Sequence, residues 1–261
     1  MYTVQPYTKN RQIIHDLLYR ATKFHMPIST VWEIDCTEAM NQLRELRREN
    51  VSAGFTAFLV KATAKLLEDY PQLNSHLFTK WTGKKTIVQF EDINCNVVVQ
   101  RKNNGEKILL PLVVKQANKL TISEIDNIIH HYKTADLASL PQFESFEKVK
   151  KLPFWLLKFI SYKTRSDPDF YLKFYGTYGL SALYTFRASG ALSGSTVANT
   201  CVAFLPFNFL NVVEDGKKKR IMRIGLVMDH YILDGAEMSL AGHEFQKLVE
   251  NPKRVSELLQ H

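Results

Sequence analysis

The 261-residue chain has only 11 glycines and 9 prolines. Both fall below average usage, so long flexible linkers are not expected and most of the chain should be ordered. It has three cysteines, Cys36, Cys95 and Cys201, all far apart. An odd count without paired or metal-type spacing excludes a disulfide framework and a zinc site of the usual kind. No apolar run approaches the ~18 residues of a membrane span, and MYTVQPYTKNRQIIHDLL holds no signal-type apolar core. The expectation is a cytoplasmic protein with no transmembrane segment. Long single-sign charge runs are also missing. The 34 basic and 26 acidic residues give +8, scattered in short clusters at Arg44/Arg47/Arg48, Lys148/Lys150/Lys151 and Lys217–Arg220. None lies in a nucleic-acid module, so these read as solvated faces and no nucleic-acid partner is expected.

What is present is a globular composition, 45% hydrophobic and 23% charged. Residues 10–23 put Ile13, Ile14, Leu17 and Leu18 at helical spacing until Pro27. A strand is expected over 29–36, a helix from Thr37 to about Asn50, and a buried helix over 54–69 that Pro71 ends. Strands follow near 85–90, 93–101 and 107–115. Thr121-Ile-Ser-Glu124 has capping-box spacing and opens a helix to about Tyr132. Residues 137–176 are the least regular part, with a short apolar helix at 152–160. Three β-rich runs, 177–187, 199–207 and 220–229, precede a last helix from Asp234-Gly235 to about Glu250, closed by Pro252. Interleaved strands and helices without a repeat or composition break predict one α/β domain, 1–261, with a mixed sheet.

The chemistry concentrates in RIGLVMDHYILDGAEMSLAGHEF. A strand ends, His230 follows Asp229 just past it, and a helix starts after Asp234-Gly235. A histidine on a rigid strand end leading into a turn is placed for general-base work. Asp234 would fix the turn, and Gly235 would allow a tight backbone approach. The competing reading is a histidine that merely hydrogen-bonds its own turn. The residues of this segment do not choose between the two.

Several segments in the same order carry a resemblance. MDHYILDGAEMSLAGHEFQKLVENP is similar to the C-terminal signature of the dihydrolipoyl acyltransferases that form the cores of 2-oxoacid dehydrogenase complexes, and the related chloramphenicol acetyltransferases share its His-x-x-x-Asp-Gly. RQIIHDLLYRATKFHMPISTVWEIDCTEAMNQLRELR resembles that family's opening helix, strand and second helix. FTAFLVKATAKLLEDYPQLNSHL, with Pro71 to Asn74, and ILLPLVVKQANKLTISEI match two further segments. The resemblance spans most of residues 10–252. It implies a chloramphenicol acetyltransferase-like α/β fold, a two-layer sandwich of a mixed β-sheet with helices packed on one face.

It also implies roles, position by position. His230 is the general base, and Asp234 supports its loop, paired in relatives with an arginine near the N-terminus, for which Arg11 is the candidate. Ser181, in GTYGLSALY, fills the place of the hydroxyl that donates to the oxyanion. The implied substrates are acyl-coenzyme A and a thiol, hydroxyl or amine acceptor, small or carrier-bound, with no bound metal. The implied assembly is a homotrimer whose active sites form between subunits. Relatives read Asp-His-Arg where this chain has Asp229-His230-Tyr231, and Asn-Leu-Gly or a similar turn where it has Ala182-Leu183-Tyr184. No lipoyl domain or Pro/Ala-rich linker is visible in the sequence, so no lipoyl group is expected on this chain. Three readings stand: a stand-alone CoA-dependent acyltransferase, a dihydrolipoyl acyltransferase using lipoyl domains in trans, and an inactive trimeric pseudo-acyltransferase that binds or scaffolds.

Other residues weigh less. Adjacent positions His130 and His131 point apart on a helix, which disfavours metal binding. His25 and His243 default to surface or structural roles. Tyr171, Phe174, Tyr175 and Tyr178 suit packing better than a pantetheine tunnel. The basic, aromatic helix at 150–163 fits subunit packing or a membrane surface, with packing weighing more because a long polar face is missing.

Overall fold

The computed structural model describes residue 3 and residues 24–103, 106–182, 200–204, 210–214 and 216–260. Arg11, the helix expected over 10–23, and Tyr184 lie outside the described residues.

Among them run strands β1 (Pro27–Asp35), β2 (Ser75–Thr79), β3 (Lys85–Gln89), β4 (Cys95–Asn103), β5 (Glu106–Val114), β6 (Tyr178–Ala182), β7 (Thr200–Phe204), β8 (Leu210–Glu214) and β9 (Lys217–Asp229). The helices are α1 (Thr37–Arg48), α2 (Phe55–Asp69), α3 (Ile122–Thr134), α4 (Pro141–Lys151), α5 (Phe154–Ser166), α6 (Pro168–Phe174), α7 (Gly235–Glu250) and α8 (Pro252–Gln260). Six strands form the path β1-β9-β7-β6-β4-β5, β8 adds to β9 as a seventh, and β2-β3 is a separate hairpin. β4/β6 and β6/β7 pair parallel, and the other pairs of the large sheet are antiparallel. The sheet is mixed, as expected.

Alternation along the strands decides which face the helices cover. In β4, Cys95, Val97 and Val99 are buried while Val98 is exposed, and in β5 Leu110, Leu112 and Val114 are buried while Leu109 is exposed. In β1, Ile34 is buried and Val31 is exposed. The inward set joins Phe58, Leu59, Leu66 and Leu67 of α2, Ile125 and Ile129 of α3, and Phe245 and Val249 of α7 in one core. Among the described residues no helix covers the opposite face, which carries the exposed Val31, Val98 and Leu109. Glycine allows the closest approach: a Cβ on Gly242 of α7 would lie 2.1 Å from the Trp32 ring of β1.

The capping box at Thr121 is present, with Glu124 N–H donating to Thr121 Oγ1 and Thr121 N–H to Glu124. The stretch 137–176 is more helical than its sequence foretold. Pro141 and Pro168 sit in first turns, Pro153 is the N-cap of α5, and Asp167 caps α6 by accepting from Phe170 N–H at 3.1 Å. Pro252 ends α7 and also opens α8, since a proline costs nothing at a position whose N–H has no intrahelical partner. No helix of the described residues is long and apolar enough to cross a membrane.

Candidate active site

His230 is the first residue after β9, and its loop is held from three sides. Its N–H donates to Met26 O at 2.8 Å, the residue before β1. Asp229 is buried and accepts through Oδ1 from Met26 N–H and Tyr231 N–H, each at 3.0 Å. Its Oδ2 lies 2.7 Å from His25 Nδ1. Burial pushes the Asp229 carboxyl up, but these bonds more than offset it and hold the group below its ordinary range. Ile232 and Leu233 N–H both return to Asp229 O at 3.0 Å, closing the turn.

The His230 ring has a defined tautomer. Nδ1 lies 3.0 Å from Leu233 O, and a carbonyl oxygen only accepts, so Nδ1 carries the hydrogen. In the neutral ring Nε2 therefore keeps its lone pair, on an exposed side chain. The histidine does hydrogen-bond its own turn, and that bond is what leaves the other nitrogen basic. The two readings of this residue are compatible.

Asp234 is the N-cap of α7. Its carboxylate accepts from Ala236 N–H at 2.8 Å and Glu237 N–H at 3.0 Å, while Glu237 accepts from Asp234 N–H at 2.9 Å. This reciprocal box fixes where the loop ends and the helix begins. Among the described residues nothing lies within 4 Å of a Cβ placed on Gly235. Tyr231 stands where a cation was missed, and the ammonium of Lys85, from β3, lies 5.2 Å from its ring centroid.

Ser181 is half-buried on β6, and one chain does not bring it to His230. Ser181 pairs with Ala203, and Ala203 with Gly225. His230 is five residues beyond Gly225 along the chain of β9, and Ser181 is two strands across. With ~3.3 Å per residue and ~4.8 Å per strand, the two are about 19 Å apart.

A second cluster behind the loop escaped the sequence. His25 contacts His76 of β2, ring centroids 5.2 Å apart, and His76 stacks on Tyr171 at 4.4 Å and meets Phe78 edge-on at 4.7 Å. His76 is buried, its Nδ1 has no hydrogen-bond partner among the described residues, and desolvation, with His25 adding to it, lowers its pKa to about 3. The available signal was weak: Asp229 beside His230, and a histidine two residues before Pro27. The antiparallel pairing of β1 with β9, which sets Pro27 opposite Asp229, brings the chain's early strand to its late one. Tyr171 and Tyr178 are fully buried, and Tyr178 OH donates to Val60 O at 2.9 Å, so both pack the interior rather than line a tunnel. Among the described residues no group of three His, Cys, Asp or Glu is placed to hold a metal.

The sequence profile of the 2-oxoacid dehydrogenases acyltransferase (catalytic domain) matches residues 1–147. The chain is 34% identical over 101 residues to the lipoamide acyltransferase component of the branched-chain alpha-keto acid dehydrogenase complex of Bacillus subtilis, a stretch covering 37% of this chain and 22% of that protein. It is 32% identical over 133 residues to the dihydrolipoyllysine-residue succinyltransferase component of the 2-oxoglutarate dehydrogenase complex of the same organism, covering 48% of this chain and 29% of that protein. The matches thus span under a third of either relative. The fold is similar to that of a probable dihydrolipoamide acetyltransferase from Listeria monocytogenes, with TM-score 0.66 and 18% identity over 96% of this chain and 95% of the other. With more than half of its length matched by the profile, the chain belongs to the family of 2-oxoacid dehydrogenase acyltransferase catalytic domains.

Proposed function

We propose that this chain is an acyltransferase that moves an acyl group between the thiol of coenzyme A and a second thiol, hydroxyl or amine. The observation that carries the reading is the His230–Leu233 bond, which leaves Nε2 as the base. Nε2 takes the proton of the attacking nucleophile as that atom bonds to the thioester carbonyl carbon. The tetrahedral oxyanion accepts a hydrogen bond from the Ser181 hydroxyl. When the intermediate collapses, the carbon–sulfur bond breaks and the leaving thiolate regains the proton from His230. No covalent enzyme intermediate is needed. Losing a positioned base costs about 10²–10⁴-fold and losing one oxyanion donor about 10²–10³-fold.

At about 19 Å, Ser181 and His230 of one chain cannot serve one carbonyl. The site therefore joins His230 of one subunit to Ser181 of the next in a homotrimer. The open sheet face with Val31, Val98 and Leu109 offers apolar surface for that contact. Asp234 fixes the loop as a helix cap, with Arg11 as its ion-pair partner. The whole chain serves as one catalytic domain.

The test is coenzyme A release from a panel of acyl-CoA chain lengths, wild type beside His230→Ala. Release that falls at least about 10²-fold in the variant supports the reading. Unchanged release refutes the mechanism, and no turnover or binding of any acyl-CoA points to a non-catalytic binding role. The names of the Bacillus subtilis relatives favour one acceptor class, a lipoyl dithiol supplied in trans. Turnover with free dihydrolipoamide would identify it.

A further inference from the structure

We propose that His25 is a positioning residue for the His230 base, acting through the Asp229 carboxylate. The inference rests on the acyltransfer reading and adds a residue to its machinery. A carboxylate only accepts, so His25 Nδ1 carries the hydrogen in its 2.7 Å bond to Asp229 Oδ2. The other oxygen, Oδ1, accepts from Met26 N–H and Tyr231 N–H, each at 3.0 Å. Both amides adjoin the base. Tyr231 follows His230 in the chain, and the Met26 carbonyl accepts from His230 N–H at 2.8 Å. Met26 is thus tied to Asp229 through its N–H and to His230 through its oxygen. A carboxylate held at Oδ1 alone would pivot about that atom. His25 on Oδ2 removes that freedom and so fixes the loop that presents Nε2.

His25 is itself anchored by residues far from it in sequence. Its ring lies 5.2 Å from that of His76 in β2, and His76 stacks on Tyr171 of α6 at 4.4 Å. Both of those rings are buried, where close packing leaves a side chain little freedom. Phe24, the preceding residue, has the Arg165 guanidinium of α5 over its ring at 4.2 Å. Support therefore runs from α5 and α6 through the segment 24–26 to Asp229, and from there to the base. The His25 side chain is only 15% exposed and that of Asp229 2%, so water is a poor substitute for the imidazole donor. A packing role alone would be indifferent to which ring nitrogen is replaced, whereas this geometry uses Nδ1.

The experiment measures coenzyme A release at varied acyl-CoA concentration, with urea unfolding of each variant alongside. His25→Leu removes the donor and should lower kcat by about tenfold to a hundredfold, the cost of a misplacement of about 1 Å. KM for acyl-CoA should stay within about twofold, because the lost interaction serves the base and not the binding of substrate. Should leucine weaken folding, two amides decide. In His25→Asn the amide nitrogen stands where Nδ1 was, and in His25→Gln it reaches towards the Nε2 position instead. The asparagine protein should keep most of the wild-type kcat, and the glutamine protein should lose as much as the leucine one. The proposal is overturned if leucine keeps kcat within about twofold of wild type, if the loss falls on KM instead, or if the two amide variants turn over alike. His230→Ala separates the claims. Unchanged release there, or none from wild type, refutes the acyltransfer reading and this role with it. A loss there beside an unaffected His25→Leu refutes only the positioning role.

Discussion

Replacing His76 with phenylalanine should remove a specific part of the protein's acid sensitivity. His76 lies flat on Tyr171 and edge-on to Phe78, so a phenyl ring keeps its packing and loses only the nitrogens. In the folded chain its pKa falls from 6.5 to about 3, mainly through burial, with the nearby His25 adding to the drop and Asp229 opposing it. Below the ordinary pKa the unfolded chain takes up a proton that the native state refuses. The stability contributed by the neutral ring is thus complete above pH 6.5 and is lost as pH falls from there towards 3. The slope is about 1.4 kcal/mol per pH unit, so near about pH 4.5 the loss reaches roughly 3 kcal/mol. Urea unfolding of wild type and His76→Phe across this range measures it. The phenylalanine protein should gain on wild type by that amount between neutral pH and about pH 4.5. A gap that stays constant over the range would refute the argument.

Other outcomes follow from the same geometry. Asp229→Ala removes the buried carboxylate that accepts from Met26 N–H and Tyr231 N–H and meets His25, and should cost about 2–4 kcal/mol in denaturant unfolding together with much of the acyl-transfer rate. Asp234→Ala removes the N-cap of α7 and should cost about 0.5–2 kcal/mol, whereas Asp234→Asn should retain most of that stability. Gly242→Ala drives a methyl group into the Trp32 ring and should destabilise by about 1–3 kcal/mol, seen as a lower thermal midpoint.

Much of this architecture was legible because local signals agreed with the fold. Thr121 and Glu124 announced α3, and the apolar face of residues 54–69 announced the buried helix α2. The His230 segment was readable because strand end, turn and cap follow one another in sequence. The hairpin strand β2 was not legible, since Ser75, His76, Leu77 and Phe78 are buried in succession and show no alternation. Residues 137–176 read as irregular beyond the one short helix at 152–160, yet Pro141, Pro153 and Pro168 each stand at a helix start. The histidine pair behind the loop was hidden for another reason. His25 and Asp229 are 204 residues apart, and their contact exists only because β1 pairs with β9. The proposed shared site comes from family resemblance, and the separation of Ser181 from His230 within one chain supports it.

The most direct test is complementation between subunits. His230→Ala and Ser181→Ala chains, each purified alone, should be nearly inactive in coenzyme A release. Co-expressed in equal amounts, they should assemble at random into trimers, and over the whole population about a quarter of the sites combine an intact His230 with a neighbour's intact Ser181, restoring about a quarter of the wild-type rate. Mixed trimers with no more activity than the single variants would contradict a site shared between subunits.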